Sequence, residues 1–399
     1  MRIFHFTEQP YPEAWNPEFE SLRISLPNRH CDPVKAADLL HRYQDEWVLA
    51  DELGLDIMVN EHHSTATCLS ASASITLAIL ARITKRARLL ALGVPLANRP
   101  DPLRVAEELA MIDVISRGRL EMGFVKGVPY EVAAANSNPV RMMDRLWEAH
   151  DLIIKAMTTH DGPFNFEGEY FHHRQVNIWP RPWQQPHPPV WITASSPQSV
   201  RAVAERGYVV GTFLGGYAAT AGLYQEYRDS WRQAGHPGEA PADRFGYLAM
   251  VGIASSRAEA MRRAERVISY VRTTGQVAEP FRNPPGYMPV EANMQMMRAG
   301  PNAPRTMKTR SGKRISLYNA TIEELMEAGV LFAGTPDDVF AQAADFVDAV
   351  GGLGNLLLMS QAGDMGHLDT VDSLNLIARE VLPRLREHCA KPRQGSIAA

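Results

Sequence analysis

Short apolar runs alternate with helical periods along the whole chain. The runs are RIFHF (2–6), DIMVN (56–60), RLLALGV (88–94), RLEMGFV (119–125), PVWITA (189–194), YVVGTF (208–213), FGYLAMVGIA (245–254) and NLLLMS (355–360). Their near-continuous apolarity is what strands covered on both faces require. Between them the period lengthens. Leu40, Tyr43, Trp47, Ala50 and Leu53 precede the second run. Val140, Met143, Trp147, His150, Ile154 and Met157 follow the fourth, and Val371, Leu374, Ile377, Val381 and Leu385 follow the eighth. That spacing is helical. In GTPDDV (334–339), Thr335 can cap, Pro336 fits the first helical position, and Asp337 and Asp338 complement the helix dipole. Eight strand–helix units predict an α/β fold, a (β/α)8 TIM barrel, as one domain over 1–390. The tail 391–399, KPRQGSIAA, is expected to be flexible.

Two stretches break the rhythm, and they predict insertions before strand 5 and after strand 7. Residues 161–188 are rich in aromatics and proline and read as a hairpin and loop. Residues 275–332 are long enough to be a mobile lid insertion, since loops of that length are usually functional or disordered. The methionines of MQMM within it read equally as packing residues.

Polar residues at the C-terminal end of a barrel strand mark the face where such folds place their chemistry. EHH (61–63) stands there, after DIMVN. Glu61, His62 and His63 are therefore candidate site residues, and a satisfied pair of loop histidines is the plain alternative. Metal binding is the rival reading. Adjacent side chains of an extended chain point to opposite faces, and no HExxH-type spacing is present. FHH (171–173) has the same limitation. ASSPQS (194–199) places Ala194, Ser195, Ser196 and Ser199 between a strand and a helix beginning at Pro197, a ready anion site. A plain serine cap is the alternative.

Composition narrows the partners. With 41 basic against 45 acidic residues, the net charge of −4 argues against nucleic-acid or membrane-surface binding. Cys31, Cys68 and Cys389 are scattered, as suits a reducing cytoplasm. No leader-like apolar segment opens the chain and no run of 18 apolar residues occurs.

Four segments, EHH (61–63), SRGRLEMGFVKG (116–127), PPVWITASSPQSVRAVAERG (188–207) and GTPDDV (334–339), resemble the bacterial luciferase-like flavin-dependent monooxygenases, in order and at the matching strands. The resemblance implies a barrel that binds reduced FMN and reacts it with O2 through a C4a-(hydro)peroxyflavin. Hydroxylation and Baeyer–Villiger-type insertion into a small apolar organic substrate remain alternatives. It assigns His62 to the reacting flavin edge as acid/base, where an imidazole moves a proton at little cost near pH 7. It also assigns His63 to the substrate side, Glu61 to the local backbone and flavin geometry, and the phosphate to Ser195, Ser196 and Ser199. Relatives carry an acidic residue at Ser195 and an arginine at Lys126, which keeps the charge but loses the fork. Arg141 is the second phosphate cation by this resemblance, or else a surface charge. Val125 stands where some luciferases have a cysteine. Leu92–Gly93 aligns with a non-proline cis peptide under the flavin; a glycine allowing close backbone approach is the other reading. No GxGxxG follows a strand, so a separate flavin reductase is expected. SASASITLAILARI is apolar on most of its circumference, which predicts a homodimer. Two other functions are carried forward: an F420-dependent dehydrogenase or reductase on the same barrel, and a catalytically silent flavin-binding subunit.

Overall fold

A computed structural model describes residues 1–299 and 306–391. Eight parallel strands close into a barrel: β1 (Arg2–Thr7), β2 (Asp56–Val59), β3 (Leu89–Pro95), β4 (Leu120–Val125), β5 (Val190–Thr193), β6 (Val209–Phe213), β7 (Phe245–Ile253) and β8 (Asn355–Gln361). Each pairs with the next, β1 with β8 (Phe4 opposite Leu357) and β6 with β7 (Val210 opposite Phe245), so no edge is left between them. All eight apolar runs are strands, within a residue or two of the ends read from sequence.

The alternation along each strand sorts side chains into two cores. Phe4, Phe6, Met58, Leu92, Trp191 and Met250 belong to the cluster that fills the barrel. Ile3, Ile57, Ala91, Phe124, Ile192 and Ala249 belong to the layer under the helices. At the N-terminal end the buried Glu121 accepts from Arg2, Arg88 and Trp191. Burial pushes that carboxyl up, but the two guanidinium groups outweigh it and hold it below the usual range.

A ninth strand, Leu331–Gly334, was not expected. It pairs in parallel with the upper half of β7, Leu331 opposite Met250 through Gly334 opposite Ile253. β6 has left β7 by that height, its last pair being Phe213 with Leu248. The expected insertion 275–332 therefore ends earlier, because Leu331 and Phe332 belong to the sheet. Its described part holds the helices Glu279–Arg282, Val290–Ala299 and Ile322–Glu327 and a hairpin of Thr306–Lys308 with Arg314–Ser316. The hairpin expected in 161–188 is Phe164–Glu167 with His172–Val176. The expected flexible tail, 391–399, lies outside the described residues apart from Lys391.

Local chemistry sets the helix ends. Thr335 caps Pro336–Ala349 in a capping box with Asp338. Ser196 caps Pro197–Glu205 with Ser199 in the same way. In Met142–Thr158 the buried residues include Met142, Leu146, Ala149, His150, Ile153 and Met157. Of the expected positions His150 and Met157 are buried, Met143, Trp147 and Ile154 are half-buried, and Val140 lies outside the helix, exposed. Leu374, Ile377, Val381 and Leu385 are buried as expected, although a π turn over Ile377–Val381 interrupts that helix.

Candidate active site at the barrel mouth

The C-terminal ends of β1 and β2 bring together residues far apart in sequence. His62 lies just past β2. Its Nδ1 donates to Oε1 of Glu131 at 2.8 Å, and its Nε2 stands 3.6 Å from Oε2 of Glu8, which follows β1. Glu131 lies in the short helix Glu131–Ala134 after β4 and also accepts from the His63 amide at 3.1 Å. Asn60 Nδ2 donates to Oε2 of Glu8. Burial alone would push the His62 imidazole down. The Glu131 hydrogen bond, then the charges of Glu131 and Glu8, outweigh it and hold His62 above its ordinary value. Glu131 answers in the opposite sense: burial raises it, but the bond and charge of His62 bring it below the usual carboxylate range. The pair therefore favours an imidazolium beside a carboxylate.

Glu61 turns away from His62. Its Oε2 accepts from Ala73 N at the start of the helix Ala73–Ile83, and its Oε1 accepts from Arg99 and from His63 Nε2. Glu61 and His63 thus brace the loop, and His62 alone of the three faces Glu8. Among the described residues no group of three or more His, Cys, Asp or Glu is arranged to hold a metal ion.

Gly93 is a bulge in β3. Leu92 pairs with Gly123 and Val94 with Phe124, so Gly93 has no partner of its own. A Cβ there would stand 2.1 Å from Cγ1 of Val125. Among the described residues the cis peptides are Trp179–Pro180 and Gln185–Pro186, so the bond aligned at Leu92–Gly93 is trans. Here the glycine serves close approach: the bulge brings the β3 backbone against the Val125 side chain, and a side chain would block it.

The proposed anion residues lie around the ends of β4 and β5, neighbours in the barrel through Phe124 and Ile192. Ala194 is buried, Ser195 and Ser196 are exposed, and Ser199 is half-buried. The Ser196 and Ser199 side chains already make the capping box, so both the cap and the anion reading use the same groups. Burial pushes the Lys126 amine down to about 8. Its Nζ donates to Tyr287 O at 3.1 Å and lies 3.5 Å from the Tyr287 ring centroid, while Tyr287 Oη donates to Gly127 O at 2.7 Å. The insertion thus reaches the end of β4. Arg141 is not gathered with Lys126: it is exposed and pairs with Asp144 and Glu169, so its geometry matches the surface-charge alternative.

Sequence reasoning missed several polar residues here. Glu8 carried a usable signal, since it follows RIFHF as EHH follows DIMVN. Glu131, Arg23 and Tyr130 carried none, being loop or short-helix residues. Arg23 packs its guanidinium over the Tyr130 ring at 4.7 Å. Asn98, just after β3, is buried with neither amide atom hydrogen-bonded, and Gln9 after β1 is likewise. Buried unpaired amides are rare in folded proteins.

The luciferase-like monooxygenase family profile matches residues 22–352. The oxygenase component of a flavin-dependent trigonelline monooxygenase from Acinetobacter baylyi is 29% identical over 186 residues, 45% of this chain and 51% of that protein. The chain spans about half the length of the relatives it matches. Among solved structures, the oxygenating constituent of 3,6-diketocamphane monooxygenase from Pseudomonas putida, a type II Baeyer–Villiger monooxygenase in complex with FMN, superposes with a TM-score of 0.70 at 21% identity, over 96% of this chain and 98% of that one. The coenzyme F420 dependent tetrahydromethanopterin reductase of Methanopyrus kandleri superposes with a TM-score of 0.63 at 18% identity, over 86% of this chain and 95% of that one. No helix among the described residues is long and apolar enough to cross a membrane. With a parallel barrel, a histidine clamped at its C-terminal mouth and a profile match over most of its length, the chain belongs to the luciferase-like monooxygenase family.

Proposed function

We propose that the protein is the oxygenase of a two-component system, using reduced FMN and O2 to oxygenate a small organic substrate. The observation that carries this is His62, held between Glu131 and Glu8 at the face where barrel enzymes react. The residues present fit a flavin. The unpaired amides of Asn98 and Gln9 need hydrogen-bonding partners that a ring system with carbonyl and N–H groups can supply. Leu92, Gly93 and Val125 would form an apolar wall without a projecting side chain at Gly93. Backbone N–H groups at the helix start by Ser195, with the Ser196 and Ser199 hydroxyls and Lys126, would take the phosphate, the hydroxyls turning from the capping box to do so; Ala194 follows the strand that leads there.

Reduced flavin, when bound, supplies the electrons that activate dioxygen. The chain's own residues do the rest. Glu131 orients the His62 ring and favours its protonated form, so a proton is held at Nε2 for delivery. Tyr130 and Tyr270, both buried, would help to exclude water there. The relative that is named an oxygenase component supports a separate reductase for this chain. Exposed Ile75, Ile79 and Ile83 on the helix Ala73–Ile83, with Met111 on Pro102–Ser116, support a homodimer through those two helices.

The F420-dependent structure on the same barrel supports a second reading, hydride transfer without oxygen. Titration with FMN, riboflavin and F420, followed by O2-uptake assays with reduced cofactor, separates the two. The expected result is FMN binding at least about tenfold tighter than riboflavin, from the lost charge-assisted contacts, and O2 uptake only with reduced FMN. Equal riboflavin affinity would place the phosphate elsewhere. Oxidation of reduced F420 without O2 uptake would replace the oxygenase reading.

A further inference from the structure

Arg23 is a buried cation whose donors are idle. It is 7% exposed, and its Nε is buried without a hydrogen-bond partner. Among the described residues its guanidinium makes no ion pair. The nearby carboxylates are engaged elsewhere: Glu8 with Asn60 and His62, Glu131 with His62 and the His63 amide. One face of the guanidinium rests on Tyr130, whose ring centroid is 6.4 Å from that of His62. The group therefore lies in the mouth beside the candidate acid, with unspent N–H donors.

The backbone is held there under strain. Ile24, a β-branched residue, has φ +62°, and Ser64, next to His63, has φ +51°. The two are tied by Ile24 N donating to Ser64 O at 2.6 Å and by the bridge of Arg23 with Thr65. Positive φ at a β-branched residue is a genuine outlier, and such strain collects at functional sites. Leaving a buried guanidinium without acceptors costs stability, so a ligand that supplies acceptors gains what the fold forgoes. The planar fork matches a carboxylate through two parallel bonds. Nearby stand Tyr270, whose ring centroid is 6.2 Å from that of Trp15, and the buried Cys68.

We propose that the substrate is a small organic acid, its apolar body lying in the mouth and its carboxylate held by Arg23. This rests on the oxygenase reading of that mouth, in which the flavin phosphate lies at the other side, by β4 and β5. It refines the expectation of a purely apolar substrate: the apolar body remains, and an anionic handle is added.

The test uses the full chain with and without FMN, and calorimetry with benzoate, phenylacetate and 3-phenylpropionate, each against its amide. At least one acid binds about tenfold or more tighter than its amide. Arg23→Gln removes that preference and leaves the affinities for the amide and for FMN unchanged, while Arg23→Lys keeps part of it, as a point charge without the fork. No acid preferred in the wild type, or a preference that survives Arg23→Gln, overturns the proposal. A loss of FMN affinity in Arg23→Gln with the acid preference intact also overturns it, and gives the guanidinium to the flavin ring. Should Arg23→Gln fail to fold, equal losses for acid and amide in Arg23→Lys overturn it. If FMN never binds while the acid preference holds, the oxygenase reading fails and the acid site stands.

Discussion

Glu131→Gln removes the charge that holds His62, with little change in shape. The carboxylate accepts from His62 Nδ1 at 2.8 Å and from the His63 amide at 3.1 Å, and its side chain is only 2% exposed. Glutamine keeps an oxygen for the amide but loses the ionic partner of the imidazole. A hydrogen bond to a charged group is worth about 1.5–3 kcal/mol, and solvent screening is weak at this depth. The expected destabilisation is therefore about 1.5–3 kcal/mol where both partners are charged. The pH window follows from the two shifts. His62 is raised in the folded state, so its contribution is fully present below its unfolded value near 6.5 and fades as pH rises through the folded one. Glu131 is lowered, so its contribution is present above its unfolded value near 4.5 and fades as pH falls through the folded one. The gap between wild type and variant is widest at about pH 5–6.5 and narrows on both sides. Urea unfolding at pH 4, 6 and 9 measures it, and proton NMR of the His62 ring follows the titration directly. In the variant burial still pushes His62 down while its main counterweight is gone, so the ring titrates at lower pH than in the wild type. A stability gap that is flat across pH, or an unmoved His62 titration, would refute the argument that this pair favours the imidazolium.

Other outcomes follow from the same geometry. His62→Ala lowers turnover about 10²–10⁴-fold, the usual loss of a general acid/base, with FMN affinity nearly intact; wild-type turnover would reduce His62 to a structural residue. Gly93→Ala costs about 1–3 kcal/mol by overpacking, because its Cβ meets Val125, and Val125→Ala in the same chain recovers part of that in thermal melts. FMN affinity falls as pH rises from 7 to 9, since Lys126 loses its proton near 8, whereas Lys126→Met shows a weaker and flatter profile by fluorescence titration. Ile75→Glu with Ile79→Glu leaves a monomer by light scattering if those exposed side chains make the dimer; an unchanged mass, or a wild type that is already monomeric, removes that interface.

The barrel was legible because strands covered on both faces have to be apolar throughout, and each of the eight runs is long enough to stand out. Capping boxes at Thr335 and Ser196 were legible because they are local. His62 was found by position, at the end of a strand. What held it was hidden: Glu131 is 69 residues away and joins the site only when β4 closes beside β3. Arg23 sits in a loop whose sequence, SLRISLP, has no period to read. The strand Leu331–Gly334 was lost inside an insertion, since four apolar residues fit a buried loop as well as a strand. Gly93 stood out in its strand, but one sequence cannot distinguish a cis bond from a bulge that answers to a side chain on the next strand.

The ninth strand gives the insertion a boundary. β7 runs into the helix Arg257–Thr274, the chain then departs, and it returns to hydrogen-bond along β7 itself before entering Pro336–Ala349 and β8. Both ends of the excursion are thereby stitched to the β7 unit. The segment from 275 to 330 behaves as a cassette only in part: Ile315, Ile322, Leu325 and Val330 are buried in the core that fills the barrel. Its exposed loops can be exchanged or lengthened while the register of β7 and β8 stays fixed, because lengthening a loop costs little once its ends are pinned. Since this cassette reaches Lys126 through Tyr287 and the N-terminal loop through Gln276, it is the part of the chain where selection or engineering can recut the mouth without unfolding the barrel beneath it.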